Sequence, residues 1–224
     1  MLVERKVAEF FIYLHYFWGQ REVYIMILNH IWGLYTAPKK EWQTIEKRHE
    51  SLMYSMVHIL TIALIPAISG YYAAAHIGWT IGAGDPIKLT ESNALFMSVA
   101  MYAGLIFGVF ALAALIQWMA KTFDSTPDFT QSLELAAYAA TPLLMVGLTA
   151  LFPVLWFVAL AGLAALSYSV YLLYSGVPIM MNIPEEKGFI YSSSVVTCGL
   201  VLIVALMAAS AIVFSSGLGV EYVS

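Results

Sequence analysis

The sequence predicts an all-α membrane protein: a bundle of five transmembrane helices preceded by a cytoplasmic or interfacial helical segment. Three observations predict it. Of 224 residues, 61% are apolar and only 11% charged, against about 25% charged in an ordinary soluble domain. Mean hydropathy is +0.81. Apolar runs near the length of about 20 residues that a bilayer-crossing helix needs recur at about 52–76, 94–120, 135–151, 154–177 and 189–215.

Residues 1–50 precede the spans. The start has Arg5, Lys6 and the apolar stretch "FFIYLHYFW", but lacks a small-residue cleavage pattern, and charge returns at Arg21 and Glu22, so a signal peptide is not indicated. Val7, Phe10, Phe11, Leu14, Phe17 and Trp18 recur at helical spacing, with Glu4, Lys6 and Glu9 among the polar positions. That pattern suits an interfacial helix on the cytoplasmic leaflet. The alternative is that residues 1–25 are an upstream extension absent from the native protein, with Met26 as its start. A second apolar stretch, 23–35, ends before Pro38, which suits the first turn of a polar helix in "PKKEWQTIEKRHES".

Residues 51–216 form the five-span unit, and 217–224 a short outer tail. After span one, "GWTIGAGDPIKLTESN" is rich in turn formers; its "GAGD" lacks the Lys-Ser/Thr and the strand that a phosphate-cradling loop needs. Only Phe152 and Pro153 separate spans three and four. A hairpin is preferred there to one long helix, because Pro153 removes a backbone donor and clashes with the preceding turn. "YSGVPIMMNIPEEKGF" joins spans four and five: Gly176 and Pro178 end one helix, Pro184 suits the start of the next, and Lys187 stands at its beginning.

Alternating sides along this path places nine basic residues with the N-terminus (Arg5, Lys6, Arg21, Lys39, Lys40, Lys47, Arg48, Lys121, Lys187) and one, Lys88, opposite. The positive-inside rule then makes the N-terminus cytoplasmic and the C-terminus periplasmic. Tyr71, Tyr72, Trp79 and Trp156 fall at outer ends and Trp118 at an inner end, where aromatic rings favour the headgroup level.

Several classes are excluded or disfavoured. The basic residues form no stripe for nucleic acid. The single Cys198 excludes an internal disulfide and a CxxC metal or redox site. No Ser-His-Asp or Cys-His set has workable spacing, and Asp and Glu are absent from the predicted span interiors, which disfavours a coupled proton pump or a membrane hydrolase. No catalytic, cofactor or metal residues are assigned.

An ionisable group within a span is a functional candidate by default, and here that is His58. One reading is a proton or metal site near Met53 and Met56. The other is a histidine hydrogen-bonded to a neighbouring helix or reaching for the interface, which the lack of a His, Cys or carboxylate at i±3 or i±4 favours. Gln117, Lys121, Asp124, Thr126, Asp128 and Glu134 frame "QWMAKTFDSTPDFTQSLE". Asp124 and Asp128 are placed to grip a cation, but solvated groups and helix caps explain the set more simply. Gly104 and Gly108 make a GxxxG in span two, and Ala159, Gly162 and Ala165 a small stripe in span four. Such faces allow close helix packing inside one bundle, or a homo-oligomer through the Gly104/Gly108 face. Pro66 in span one and Pro142 in span three loosen the helix ladder, as in transporters with broken helices near the midplane.

These residues also carry a resemblance. Tyr138, Thr141 and Pro142 (Tyr-Ala-x-x-Thr-Pro), the hairpin at Pro153, then Tyr171, Gly176, Pro184 and Lys187 resemble, in order and spacing, the Yip family of Ypt/Rab-interacting membrane proteins. "NHIWGLYTAPKKEWQTIEKRHES" is similar to the start of its bacterial inner-membrane branch, and the likeness covers about residues 29–216. It implies five spans, a cytoplasmic N-terminus, an inner-membrane location and no known catalytic activity. Eukaryotic members act in vesicle trafficking with Rab GTPases, a role that does not transfer to so short a cytoplasmic segment. The expectation is a non-enzymatic membrane protein that organises membrane lipid or partner proteins at the cytoplasmic face. The alternative is a small transporter, channel or lipid-moving protein with a cavity near His58, Pro66 and Pro142.

Overall fold

The structure, a computed structural model, describes residues 25–48, 51–80, 86–215 and 222–223. The predicted interfacial helix before residue 25, the "GAGD" turn and most of the outer tail lie outside them. Five helical segments are long and apolar enough to cross a membrane: Leu52–Ile77, Glu91–Phe123, Phe129–Leu151, Leu155–Met180 and Glu185–Ile212.

Helix α1 covers residues 25–36 and α2 Pro38–Arg48. They fold back on each other about Ala37, so that His30 meets Glu41, and Arg48 Nη1 lies 2.6 Å from Met26 Sδ. Pro38 opens α2, where its missing N–H is no loss.

Span one is not one continuous α-helix. It runs as α3, Leu52–Ile62, then a turn at Ala63, α4, Leu64–Tyr72, and a π-helical turn, Ala73–Ile77. Pro66 explains the break: without an N–H it cannot bond the Ile62 carbonyl. Gly78, at φ 80°, ends the segment in a conformation suited to glycine. Beyond it Trp79 bridges Ile87, and Lys88–Leu89 (β1) pairs antiparallel with Tyr222–Val223 (β2), tying the last described residues to this loop.

Span two is α5, Glu91–Ala120. A single 3-10 turn and Asp124, in the left-handed region at φ 58°, lead to α6, Phe129–Met145. Asp128 caps α6 in a capping box: its carboxylate accepts the Gln131 N–H at 2.7 Å, and the Gln131 side chain accepts the Asp128 N–H at 3.2 Å. Past Pro142 the helix tightens into a 3-10 stretch, Val146–Leu151. Residues 152–154 are not helical, so a hairpin separates this span from α7, Leu155–Met180. The last span is α8, Glu185–Ser215.

Two expectations are corrected. Helix α6 opens at the cap on Asp128, in line with the helix-cap reading of that residue, and so begins six residues before the apolar run of the predicted span. Glu134 is therefore inside the helix and 2% exposed, so a carboxylate does lie within a span segment. Helix α7 does not end at Gly176 but runs through Pro178 to Met180; Gly188 leaves room for the proline ring, since a Cβ there would lie 2.6 Å from Pro178 Cγ. Asn182, at φ 50°, makes the turn instead. The Gly104/Gly108 face packs inside the bundle, as the first of its two readings has it: a Cβ on Gly104 would sit 3.8 Å, and one on Gly108 3.0 Å, from Leu206 of α8. A Cβ on Gly162 would meet nothing within 4 Å among the described residues.

The main core gathers Leu34, Trp42, Ile45, Ile59, Tyr138 and Tyr191, so the α1–α2 hairpin is part of it rather than an appendage. Trp42 and Ile45 are fully buried, and Gly176 is why α2 approaches α7 closely: a Cβ there would lie 2.7 Å from Trp42 Cε2. The Tyr168 hydroxyl donates to the Leu34 carbonyl at 2.7 Å, satisfying an acceptor in the last turn of α1.

Candidate functional site, a polar cluster beneath the hairpin

Tyr138, 1% exposed, stands at the centre of the buried polar groups. Its ring lies 4.5 Å from His58, 5.6 Å from His30 and, edge-on, 6.5 Å from Trp42. Four helices supply this cluster: His30 from α1, Trp42 from α2, His58 from α3, and Tyr138 with Thr141 from α6. The spacing Tyr138–Thr141 puts both α6 groups on one face.

His58 is fully buried, with Nε2 2.8 Å from Thr141 Oγ1. Thr141 Oγ1 also lies 3.0 Å from the Ala137 carbonyl. A hydroxyl has one proton, and the carbonyl can only accept it. With Thr141 donating to Ala137, the tautomer that completes the bond carries its proton on His58 Nε2 and donates to Thr141. His58 Nδ1 has no partner among the described residues. Met53 is exposed and Met56 only flanks the core, so the His58–Met53–Met56 reading does not match the geometry. His58 is instead bonded to a neighbouring helix.

Thr141→Val keeps the shape but removes the oxygen. Hydrogen bonds between membrane helices average ~0.6 kcal/mol, while an orphaned buried donor costs about 1–3 kcal/mol. Thr141→Val is expected to lower stability by about 1–2 kcal/mol, with Thr141→Ser near wild type, as read by thermal unfolding in detergent micelles.

At the edge of the cluster His30 Nδ1 is hydrogen-bonded to Glu41 Oε1. This pair forms one wall of a cup of about 340 Å³, completed by Ile25, Met26, Asn29, Thr44 and Arg48. A small polar or anionic group would meet Arg48 and Asn29 there. Among the described residues no three His, Cys, Asp or Glu stand close enough to hold a metal ion. The cup was not legible beforehand, because it exists only once α1 and α2 fold back on each other.

The other predicted residues are dispersed. Pro66 packs on Gly147, whose Cβ, if present, would lie 2.5 Å from Pro66 Cβ. Pro142 is buried in α6 below Tyr138 and Thr141. Gly176 seats Trp42. Lys187 Nζ lies 2.5 Å from Asp124 Oδ2 in an exposed pair, and Lys39 lies 3.7 Å from Glu185. Asp128 is a helix cap and Asp124 pairs with Lys187, so the two acids do not form a cation grip. The Lys187 hydrogen bond, and then its charge, hold the Asp124 carboxyl below its ordinary value. A carboxyl lowered in the folded state contributes above its unfolded value and loses that contribution as pH falls through the lowered one. Asp124→Asn is therefore expected to cost a little stability at neutral pH, with the difference from wild type vanishing on acidification. Unfolding midpoints across pH test this.

A bundle of membrane-spanning helices with a helical hairpin docked into one end defines a polytopic membrane protein. The family model of the Yip1 domain matches residues 32–206, and the chain belongs to that family. The inner membrane protein YohC of Escherichia coli K12 is 36% identical over 191 residues, which are 85% of this chain and 98% of the relative. YohC of Escherichia coli O6:H1 (strain CFT073) matches with the same identity and coverage. No solved structure matches the chain. The family match takes in Glu41, Trp42, His58, Tyr138 and Thr141; His30 lies just before it.

Proposed function

We propose that this is a non-enzymatic inner-membrane protein that organises membrane lipid, and partner proteins at its cytoplasmic face. The observation that carries this reading is the uneven burial of the spans. Within the most apolar 18-residue stretch of each, the third is 56% buried, but the second only 17%, the fourth 11% and the fifth 6%. Helices α7 and α8 thus each keep an outward face, with Leu160 and Leu163 on one and Val201 and Val204 on the other, exposed to surrounding lipid or to other membrane proteins. What supports a cytoplasmic side for the hairpin end is charge: contacts of Lys39 with Glu185 and of Lys187 with Asp124 gather the described cations, Lys88 excepted, at that end. Exposed lysines of α2 are what a partner protein would read. Purified protein in proteoliposomes is expected to give no saturable flux of small solutes above empty vesicles; reproducible, saturable flux would overturn the reading.

The second reading, a lipid-moving protein, is favoured by one observation, an apolar cavity between the spans. That cavity does not lie where the sequence placed it: His58, Pro66 and Pro142 are not among its lining residues. A dithionite-quenching assay of fluorescent phospholipid in the same vesicles separates the two readings.

A further inference from the structure

Helices α5, α6, α7 and α8 do not close on one another at mid-length. They leave a cavity of about 280 Å³, with Gly108, Ala140, Ser169 and Gly199 in its wall and Ser169 as its one polar side chain. Each of these residues falls near the middle of its own span, so the cavity lies at the depth of the bilayer midplane, remote from either aqueous phase. Leu200 both lines it and is 42% exposed on the outside of α8, so it is continuous with the lipid-facing surface.

We propose that this cavity is a binding site for the distal part of one phospholipid acyl chain, admitted from the bilayer past Leu200. The proposal deepens the lipid-organising reading and rests on it. Water is a poor occupant, since apolar cavities stay dry. The volume is about twice the ~150 Å³ of an apolar cavity that accepts a benzene molecule, leaving room for a run of methylenes and the terminal methyl. An aqueous solute has no polar route to this depth along the lining. A hydrocarbon chain is already present at the mouth and loses no hydration on entry. Ser169 Oγ has no partner among the described residues. In the chain-binding account it contributes shape and no specificity. The small residues keep the space open: a Cβ on Gly199 would make ordinary contact, 3.8 Å from Leu112 Cδ1, so a larger side chain there has the cavity to grow into.

The test uses the full chain in nanodiscs containing a phosphatidylethanolamine whose acyl chain ends in a diazirine. Photolysis and peptide mass spectrometry then map the labelled residues. Phe107 and Val204, exposed at similar depth but not among the lining residues, are the internal reference. Leu166, Leu200 and Ile203 are expected to be labelled several-fold above that reference. Gly199→Leu and, as a second filler, Ala140→Leu should each remove the excess while leaving Phe107 labelled and the unfolding midpoint near wild type. Ser169→Ala should change nothing. Labelling no greater in the cavity than at Phe107, or an excess that survives a folded filler variant, overturns the proposal. Loss of the excess in Ser169→Ala also overturns it, because the occupant would then be held by a hydrogen bond rather than as hydrocarbon. Solute flux bears on the broader reading alone, so the two fail separately.

Discussion

Trp42→Ala is expected to release the N-terminal hairpin from the bundle. Removing a buried Trp costs about 3–5 kcal/mol, and α2 has only Trp42 and Ile45 buried to hold it. Its other residues include Lys39, Lys40, Lys47 and Arg48, which prefer water once the anchor is gone. With Trp42 go the packing on Gly176 and the edge-on contact with Tyr138. Each ~1.4 kcal/mol of lost docking raises the undocked population tenfold, so trypsin should cut at these basic residues at least about tenfold faster than in wild type. Trp42→Phe is the informative partner. It loses volume but also removes an indole N–H that has no partner among the described residues, so docking should largely persist. Equal cleavage of wild type and Trp42→Ala would show that α2 is not anchored by this residue.

Gly147→Val is expected to separate spans one and three. A Cβ at this position would lie 2.5 Å from Pro66 Cβ and 2.6 Å from Pro66 Cα. The obstacle is the backbone of a proline, which cannot swing aside as the end of a flexible side chain can. Overpacking of this kind typically costs about 1–3 kcal/mol. Here it also pulls apart the Ser69 hydroxyl and the Gly147 carbonyl, now 2.8 Å apart. Gly162→Ala is the control, with nothing within 4 Å of the added methyl and an expected effect within about ±0.5 kcal/mol. Unfolding midpoints in one detergent compare the two; a Gly147→Val protein as stable as Gly162→Ala would refute the close contact.

These residues show where the sequence was readable. Hydrophobic runs of bilayer length identify spans because lipid imposes the length, whatever the packing. The hairpin at Pro153 and the cap at Asp128 were legible because each is decided by a residue and its immediate neighbours. Glu134 was misplaced because the hydrophobic run starts after the helix does: the cap, not the apolar boundary, sets the helix start. Gly147 was passed over because its role depends on Pro66, far away in the chain, and no local pattern connects them. His58 and Thr141 were each noticed, but the bond between them needs α3 and α6 side by side. The cavity was sought at the prolines, where the ladder is broken, yet those breaks are filled by close packing. It lies instead where four helices carry small or missing side chains at one depth.

The α1–α2 hairpin is a docked part of the bundle, sealing Tyr138 and its neighbours. Hydrogen exchange of the Trp42–Arg48 amides in nanodiscs tests it most directly. A docked helix opens only with the core that holds it, whereas a loosely attached surface helix opens locally and often. Protection persisting for hours and falling sharply in Trp42→Ala is the predicted result. Exchange within seconds in the wild-type protein, with the spans still protected, would contradict it.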